Sequence, residues 1–292
     1  MSDAMTLNQR IVLASRPAGA PTPENFRMER VALPDLAEGQ VLLKTLYLSL
    51  DPYMRGRMSD APSYAAPVAI GEVMTGGAVS RVERSLNPKF HEGDLVVGAT
   101  GWQSHSISDG RALIPVPSGL PSPSMALGVL GMPGMTAYMG LMDIGQPKEG
   151  ETLVVAAASG AVGSVVGQVA RIKGLKVVGV AGGADKCRYV VDELGFDACI
   201  DHKSADFAEQ LAQACPKGID IYYENVGGKV FDAVVPLLNP KARIPLCGLI
   251  ASYNAQEAPT GPDRLPQLQR TLLTKRVRIP VSYTHLTLPT KA

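Results

Sequence analysis

Two glycines, Gly160 and Gly163, follow an apolar run from Thr152 to Ala156 and are the first residues that suggest chemistry. Helical spacing resumes directly after them, which is typical of a strand, a tight turn and the start of a helix. Unpaired backbone N–H groups and the helix dipole at such a start bind the pyrophosphate of a dinucleotide. The first glycine of the usual G-x-G-x-x-G pattern is absent, because Ala158 stands in its place. Taken alone, the pattern therefore indicates a dinucleotide site only weakly.

The choice of nicotinamide cofactor depends on the segment that follows the next predicted strand, Ala181-Gly-Gly-Ala-Asp-Lys-Cys-Arg188. NAD enzymes place an Asp or Glu there, about twenty residues past the glycines, to hold the ribose 2′-hydroxyl. Here small residues such as Gly182 leave room for a 2′-phosphate, and Lys186 or Arg188 could pair with it. Asp185 weakens this interpretation. Lys186 and Arg188 could equally be solvated side chains at the start of an ordinary helix. The segment favours NADPH over NADH.

Alternating strands and helices surround these residues and would position them. The strand-like runs are Thr152 to Ala156, Lys176 to Ala181, Ala198 to Asp201, Ile219 to Val226 and Ala242 to Cys247. The helical segments are about Ala161 to Lys173, Ala184 to Leu194, a third that Ser204 would N-cap and that ends before Pro216, and Lys229 to Leu238. Short strands alternating with helices in this way predict a parallel, doubly wound sheet.

The first half of the chain has a different composition. Between Arg10 and Leu120 it is rich in Pro and Gly. Its short β-type runs are Val41 to Leu48, Ile70 to Val82, Leu95 to Ala99 and Ala112 to Val116. This pattern predicts a compact antiparallel barrel that precedes the nucleotide-binding part.

Length and charge are those of an enzyme without an extended charged surface. The chain has 292 residues, enough for two domains with their own cores, and a formal net charge of +1. A net charge this small provides no long-range electrostatic attraction for nucleic acid or anionic lipid. No signal peptide is evident, so we expect a cytoplasmic location. Met125 to Met142 is uncharged, but four glycines and Pro133 interrupt it, which favours a buried hinge over a membrane span.

The four cysteines argue against a metal site. Cys187, Cys199, Cys215 and Cys247 are far apart and lack the Cys-x-x-Cys or Cys–His spacing of a zinc site. All four lie in or beside predicted core elements. Each is therefore interpreted as a small buried hydrophobe in a reducing compartment, and no bound metal is expected.

Six motifs occur in order between about residues 8 and 279. They are Asp51-Pro-Tyr-Met-Arg-Gly-Arg-Met58, Gly93-Asp94, Gly131-Met-Pro-Gly-Met-Thr-Ala-Tyr138, Ala157 to Gly163, Glu224-Asn-Val-Gly-Gly228, and Cys247-Gly248 through Tyr253-Asn254. Together they resemble the zinc-independent medium-chain dehydrogenase/reductase superfamily, and most of all its prostaglandin reductase, alkenal/one reductase and curcumin reductase branch. The resemblance implies an α/β fold, with a GroES-like β-barrel domain over residues 1–125 and a Rossmann, doubly wound parallel sheet that binds NADPH over residues 126–280. It places the active site between the two domains.

The resemblance also implies the reaction, which is NADPH-dependent reduction of the carbon–carbon double bond of α,β-unsaturated ketones or aldehydes. Hydride goes to the β-carbon and the enolate is protonated at the α-carbon, which requires hydrogen-bond donors near its oxygen and an acid. The Cys and His that hold zinc in the related alcohol dehydrogenases are missing, because Asp51 and Ile70-Gly71-Glu72 stand in their places. NADPH quinone reduction is the nearest alternative. A non-catalytic NADPH-binding protein or an inactive truncated fragment is another.

By the same resemblance, Tyr253 is the candidate proton donor or carbonyl hydrogen-bond donor, with Tyr53 and Tyr64 lining the substrate pocket. A ribose hydroxyl of the cofactor or a water could fill the same role, and each tyrosine could be a packed aromatic side chain. The implied cofactor contacts are Thr136, Gly160, Ala161, Val162, Gly163, Gly182, Lys186, His202, Asn225, Cys247, Gly248, Ile250 and Tyr253. His202 departs from the family, whose members often carry Tyr there.

The match to the family stops near Ile279, where its sixth strand begins, and Pro280 to Ala292 resembles nothing in it. We therefore expect a C-terminally truncated member in which residues 281–292 are a non-native tail. Without a complete sixth strand, the fifth strand would be an unpaired edge. The sixth strand commonly carries the dimer contact, so the expected family homodimer is in doubt here. The expected binding partner is a small enone or alkenal.

Overall fold

The computed structural model describes residues 7–257 and 262–282, and the structural statements below concern those residues. Their contacts divide the chain into two compact units. The first unit contains the chain up to Gly128 together with the short segment Tyr253–Glu257. The second contains Val129–Ser252 and the chain from Ala258 onward. Neither described range contains a helix long and apolar enough to cross a membrane.

The first unit is built from antiparallel strands. They are β1 (Leu7–Leu13), β2 (Phe26–Ala32), β3 (Val41–Leu48), β4 (Ala78–Ser85), β5 (Leu95–Gly98), β6 (His105–Ser108) and β7 (Ile114–Pro115), with one short helix, α1 (Tyr53–Arg57), and 3₁₀ turns at Pro23–Asn25 and Pro123–Leu127. Strands β1 and β2 form a two-stranded sheet, and the other five form a sheet in the order β6-β3-β4-β5-β7.

The core of the five-stranded sheet follows from alternation along its strands. Val41 and Leu43 of β3 are two residues apart, so they point to the same face, and both are fully buried. They pack with Val82 of β4 and Val96 of β5, and Phe90 from the connecting loop closes the cluster. This core holds the sheet rigid beneath the loops that it carries.

The sequence prediction for this unit is right for β3 and wrong for Ile70 to Val82. A turn closes at the start of that run, where the Glu72 N–H donates to the Ala69 carbonyl over 3.1 Å. Gly71 in this turn has a φ of 87°, outside the range of a regular extended strand, and β4 begins only at Ala78. The prediction also missed β1, β2 and β6.

The second unit is built on a five-stranded parallel sheet in the order β10-β9-β8-β11-β12. Its strands are β8 (Thr152–Ala156), β9 (Lys176–Ala181), β10 (Ala198–Asp201), β11 (Ile219–Tyr223) and β12 (Leu238–Arg243). Its α-helices are α2 (Met132–Met139), α3 (Gly163–Ile172), α4 (Ala184–Asp192), α5 (Phe207–Ala214), α6 (Gly228–Val234) and α7 (Leu265–Lys275), and a π-helical stretch covers Gly140–Gly145. The predicted doubly wound sheet is confirmed, and all of β8 is buried because helices cover both faces.

Some predicted boundaries in this unit are wrong for local reasons. Helix α3 begins at Gly163 rather than Ala161, because the preceding residues stay in the turn. Ser204 does not cap α5, because the N-cap residue is Asp206. The Ser204 hydroxyl instead donates a hydrogen bond to the Asp206 carboxylate over 2.7 Å. The predicted helix Lys229 to Leu238 ends at Val234 and tightens into a 3₁₀ turn at Pro236.

The fifth strand is not the unpaired edge that the sequence led us to expect. Arg278 and Val281 form parallel bridges to Arg243 and Leu246, and the Ser282 N–H donates to the Leu246 carbonyl over 2.8 Å. Ser282 is 7% exposed. The expectation was wrong because residues 278–282 supply backbone donors and acceptors that pair with the edge of the fifth strand. The rest of the expected tail, residues 283–292, lies outside the described residues.

Candidate functional site

The turn after β8 has the shape that a pyrophosphate site requires. The Gly160 N–H donates to the Ala157 carbonyl over 2.9 Å, and α3 starts at Gly163. A Cβ on Gly163 would lie 2.3 Å from the Ala157 oxygen, so only glycine allows the helix to approach the turn this closely. The exposed Ala161 and half-buried Val162 lie between them, where the first backbone N–H groups of a helix lack internal partners. The cradle therefore fits an anionic group.

This turn lies where the order of the sheet reverses. Strand β8 is central, with β9 on one side and β11 on the other. Ligands of open parallel sheets bind outside the carboxyl ends of the strands at such a point. Asn225 follows β11 there, and its side-chain Nδ2 donates to the Ala156 carbonyl at the end of β8 over 2.8 Å. The proposed ribose contact is thus held against the pyrophosphate turn.

The segment after β9 consists of small residues and lies beside His202 and Lys203. A Cβ on Gly182 would be 2.8 Å from His202 Nε2 and 3.4 Å from Lys203 Cε, so a side chain there would displace both. The Nδ1 atom of His202 is buried without a hydrogen-bond partner. The ring atom that faces the space kept open by Gly182 is the other nitrogen, Nε2, and this polar edge together with Lys203 fits an anionic group such as a 2′-phosphate. Sequence reasoning missed Lys203, although its place at the carboxyl end of a parallel strand was a usable signal.

The sequence did not decide whether Lys186 or Arg188 would pair with the 2′-phosphate, and their contacts in the structure differ. Arg188 forms an ion pair with Asp185 one turn earlier on α4. Among the described residues, Lys186 forms no ion pair and is exposed. Asp201, at the end of β10, accepts hydrogen bonds from the N–H groups of Lys203 and Gly183, both over 2.9 Å. Those bonds lower the pKa of Asp201 and fix the loop. Lys186 is therefore the better candidate for the phosphate.

One buried residue, Glu224, organises the two loops after β11 and β12 through its carboxylate and its main chain. Glu224 is fully buried, and its Oε1 accepts hydrogen bonds from the N–H groups of Val226 (2.6 Å) and Gly227 (2.8 Å). Its main-chain carbonyl accepts from the N–H groups of Cys247 (2.9 Å) and Gly248 (3.1 Å). Burial raises the pKa of Glu224, whereas the two backbone donors to its carboxylate lower it. Sequence reasoning gave this residue no role of its own.

The remaining candidates of the second unit are held mainly by backbone contacts. The Ile250 N–H donates to the Asn225 carbonyl over 3.3 Å, which joins the two loops. Burial raises the pKa of Cys247 to about 11, so its sulfur is a thiol at neutral pH. The Thr136 hydroxyl donates to the Met132 carbonyl over 2.7 Å, and its own carbonyl accepts from the Tyr223 hydroxyl over 2.7 Å. The hydroxyl and the carbonyl of Thr136 thus both form hydrogen bonds within the second unit.

The three candidate tyrosines line one pocket of the first unit. Tyr53, Tyr64 and Tyr253 surround about 170 Å³ together with Pro52, Gly56, Arg57 and Ser63. The segment that carries Tyr253 is anchored by Arg55, which donates to the side chain of Asn254 over 3.0 Å. Periodicity could not have brought residues 53, 64 and 253 together.

The chemistry of this pocket is that of neutral hydrogen-bond donors. Burial, and then the nearby Asp51 carboxylate, raise the pKa of Tyr53, while its hydrogen bond with Thr75 and the charge of Arg57 lower it. Tyr53 therefore keeps its proton at neutral pH. The Arg57 Nε is buried without a hydrogen-bond partner and also lines a neighbouring pocket of about 460 Å³. Within the described ranges, no group of three or more His, Cys, Asp or Glu side chains could hold a metal ion.

Comparisons with known proteins agree with this arrangement. A family model described as the N-terminal domain of oxidoreductase matches residues 9–116, and one described as zinc-binding dehydrogenase matches residues 161–284. The chain is 66% identical over 272 residues to the NADPH-dependent curcumin reductase of Escherichia coli K12, which covers 93% of this chain and 79% of that protein. It is 46% identical over 249 residues to mouse prostaglandin reductase 1, covering 84% and 73%.

A solved structure extends the likeness to the fold. CurA from Vibrio vulnificus in complex with NADPH superposes with a TM-score of 0.91 at 61% identity, covering 95% of this chain and 83% of that one. The resemblance read from the six motifs is thus confirmed by sequence and by structure. This chain belongs to the medium-chain dehydrogenase/reductase superfamily, in the branch that includes the curcumin and prostaglandin reductases.

Proposed function

We propose that this protein uses NADPH to reduce the carbon–carbon double bond of α,β-unsaturated ketones and aldehydes. The observation that carries the proposal is the 66% identity to an NADPH-dependent curcumin reductase. That match spans 93% of the chain, so it covers the glycine turns as well as the tyrosine pocket. The comparisons concern relatives, and the contacts described above support the roles that we propose for individual residues of this chain.

The residues of the second unit that would hold NADPH divide by the part of the cofactor they suit. Backbone N–H groups of Ala161, Val162 and Gly163 suit the pyrophosphate, and Gly160 lets it approach the turn. Gly182, Lys186, His202 and Lys203 suit the 2′-phosphate, while Asn225, Cys247, Gly248 and Ile250 suit the nicotinamide riboside. When bound, NADPH supplies the hydride for the β-carbon of the conjugated alkene. The packing of Gly163 and the approach of His202 Nε2 and Lys203 to Gly182 support this assignment.

The tyrosine pocket would act on the carbonyl end of the substrate. A neutral phenol can donate a hydrogen bond to the carbonyl oxygen and stabilise the negative charge that develops on it in the enolate. Tyr53 suits this role because its raised pKa keeps it protonated. We assign Tyr253 as the donor to the carbonyl or the source of the proton for the α-carbon, and Tyr64 as a pocket wall.

The test is NADPH oxidation by the purified chain with a medium-length enone, run beside a quinone and with NADH as a control. We expect turnover with the enone, a preference for NADPH, and a product that mass spectrometry shows to have gained two hydrogens across the double bond. Turnover with the quinone alone would favour the rival reaction. Tight NADPH binding without turnover on either acceptor would indicate a binding protein.

Removing the Tyr253 hydroxyl isolates its role. We expect Tyr253→Phe to lower kcat/KM for the enone by about 10²-fold, the typical effect of losing one donor to a developing oxyanion. Tyr47→Phe is the matched control, because Tyr47 is 43% exposed on β3 and outside the pocket. Steady-state kinetics measures both variants. Full activity of Tyr253→Phe would remove this tyrosine from the mechanism.

A further inference from the structure

The cavity beside the tyrosine pocket has no part in the proposed reaction, although it is the roomier of the two. Its volume is about 460 Å³, against about 170 Å³ for the tyrosine pocket. Small-molecule sites commonly measure about 300–1,000 Å³, a range that includes only the larger cavity. Arg57 lines both cavities, so they are neighbours within the first unit. A ligand too large for the tyrosine pocket could therefore extend into the space beside it.

Two polar side-chain atoms on residues that line this larger cavity lack partners. Arg57 Nε and Thr100 Oγ1 are both buried, and neither has a hydrogen-bond partner within residues 7–257 and 262–282. The guanidinium can only donate hydrogen bonds, and the threonine hydroxyl can donate one as well. Buried donors without a partner cost free energy. A ligand that brings an acceptor oxygen to them would recover part of that cost.

The walls that carry these two residues are held by the backbone. The Val68 N–H donates to the Arg57 carbonyl over 2.8 Å, which ties two sides of the cavity together. Gly101, next to Thr100, has a φ of 79°. A Cβ on Gly101 would lie 2.7 Å from the Met74 carbonyl oxygen, so this close approach requires glycine. The cavity is thus formed before any ligand arrives, which reduces the cost of ordering it on binding.

The lining also indicates what kind of ligand would fit. Its two charged residues are Arg57 and Glu72, so their formal charges cancel. Glu72 is exposed, which leaves the cavity open to solvent, while Val73 and Met74 contribute apolar surface. A carboxylate would be attracted by the arginine and repelled by the glutamate. A neutral oxygen on an apolar chain or ring, such as a ketone or an ether, can accept from Arg57 and Thr100 without that repulsion.

We propose that this cavity binds the far end of the substrate, and that Arg57 and Thr100 select extended enones with a neutral acceptor oxygen distant from the reacting double bond. The proposal rests on the proposed function, because it takes the tyrosine pocket as the place of the reacting carbonyl. No bond is made or broken in the larger cavity. Thr100 is therefore a specificity residue, and its effect should lie in KM rather than in kcat.

The experiment compares three kinds of enone as substrates of the purified full-length chain with NADPH. They are a short straight-chain enone, a long-chain enone, and a set of long-chain enones with a ketone in place of a methylene group at successive positions along the chain. At the position that reaches the cavity, we expect the ketone to raise kcat/KM by about 3- to 10-fold over the plain long chain, the effect of one neutral hydrogen bond.

Thr100→Val removes the hydroxyl and keeps the shape of the side chain. It should abolish most of the gain from the distant ketone, through a higher KM, while the ratio between the plain long chain and the short enone stays the same. Thr45→Val is the matched control. The Thr45 hydroxyl on β3 is also buried without a partner among the described residues, but Thr45 does not line the cavity. This control should keep the full gain from the ketone.

Binding without turnover gives a second measurement. Calorimetric titration with the saturated form of the best ketone-bearing chain should yield a lower Kd than its methylene analogue, and Thr100→Val should remove the difference. The proposal is overturned if no ketone position improves kcat/KM over the plain chain, or if Thr100→Val leaves the gain intact. Failure to reduce any of the enones would instead count against the proposed function, and the titration would still decide whether the cavity binds a neutral oxygen.

Discussion

At the scale of single residues, Glu224 forms hydrogen bonds with two loops of the proposed cofactor site. Its carboxylate holds the turn after Asn225 and its main chain holds Cys247 and Gly248. The second carboxylate oxygen and the neighbouring Tyr222 hydroxyl are buried without a well-formed hydrogen bond. A buried carboxylate that is only half satisfied costs stability when ionised. We infer that this cost is tolerated because the charge orders the turn after β11.

Because ionising the buried Glu224 carboxylate costs free energy, we predict that the stability of the folded protein depends on pH. Burial raises the folded-state pKa of Glu224 above the ordinary value of 4.5, so the folded protein holds this proton more tightly than the unfolded chain. The resulting stabilisation is complete below pH 4.5 and is lost as the pH rises through the folded-state pKa. Glu224→Gln cannot ionise and should not show this loss. Its free energy of unfolding should therefore improve relative to wild type between acidic and neutral pH.

Urea unfolding at a series of pH values measures the difference. Asp220→Asn is a control at a carboxylate four residues earlier, which accepts hydrogen bonds from the Thr152 N–H and from Asn239. Parallel pH profiles of the wild type and Glu224→Gln would contradict the role assigned to burial.

At the scale of elements, the turn between β8 and α3 depends on the absence of one side chain. Gly163→Ala places a Cβ 2.3 Å from a backbone oxygen that cannot rotate away. We expect a loss of about 1–3 kcal/mol in the free energy of unfolding, together with weaker NADPH binding. Chemical denaturation and NADPH titration measure the two effects.

Gly167→Ala separates binding from stability in the same helix. Its Cβ would meet the Phe196 ring in the core, away from the turn. It should lower stability while leaving the Kd for NADPH nearly unchanged. If both variants weaken NADPH binding equally, the effect comes from general destabilisation rather than from the turn.

Much of this element-level arrangement was predictable from the sequence. Strands β8, β9 and β10 were predicted with their observed bounds, because buried parallel strands appear as continuous apolar runs. Strand β2 was missed because Arg27, Glu29 and Arg30 break the apolar pattern of a half-exposed strand. Its pairing partner is β1, and no local signal reports such a pairing.

At the scale of the whole molecule, the sequence pointed to the correct family but could not supply contacts between distant residues. The approach of Lys203 to Gly182 depends on long-range packing and was missed, whereas the placement of Tyr53, Tyr64 and Tyr253 at one pocket was expected only from the family resemblance. The bridges of Arg278 and Val281 to Arg243 and Leu246 were contrary to expectation. The homodimer and the cytoplasmic location stay predictions, and sedimentation of the purified chain would test the first.

The C-terminal segment is predicted to contribute to stability. Val277 is 9% exposed and packs in the sheet's core, whereas Val281 is 61% exposed. Val277→Ala should cost about 1–2 kcal/mol in the free energy of unfolding, from two lost methyl groups, and Val281→Ala much less. Thermal and urea unfolding compare them. Equal effects of the two substitutions would show that this stretch does not pack as described.

The chain enters the first unit twice, because Tyr253–Glu257 belongs to it although more than a hundred residues of the second unit come before. During synthesis, the ribosome must therefore extend the chain far beyond Gly128 before the tyrosine pocket can gain its third wall, a delay on the order of 10 s at common elongation rates. A gene fragment that ends at Gly128 would encode Tyr53 and Tyr64 without Tyr253. The barrel domain of this protein therefore cannot be transplanted as one continuous piece and keep its pocket.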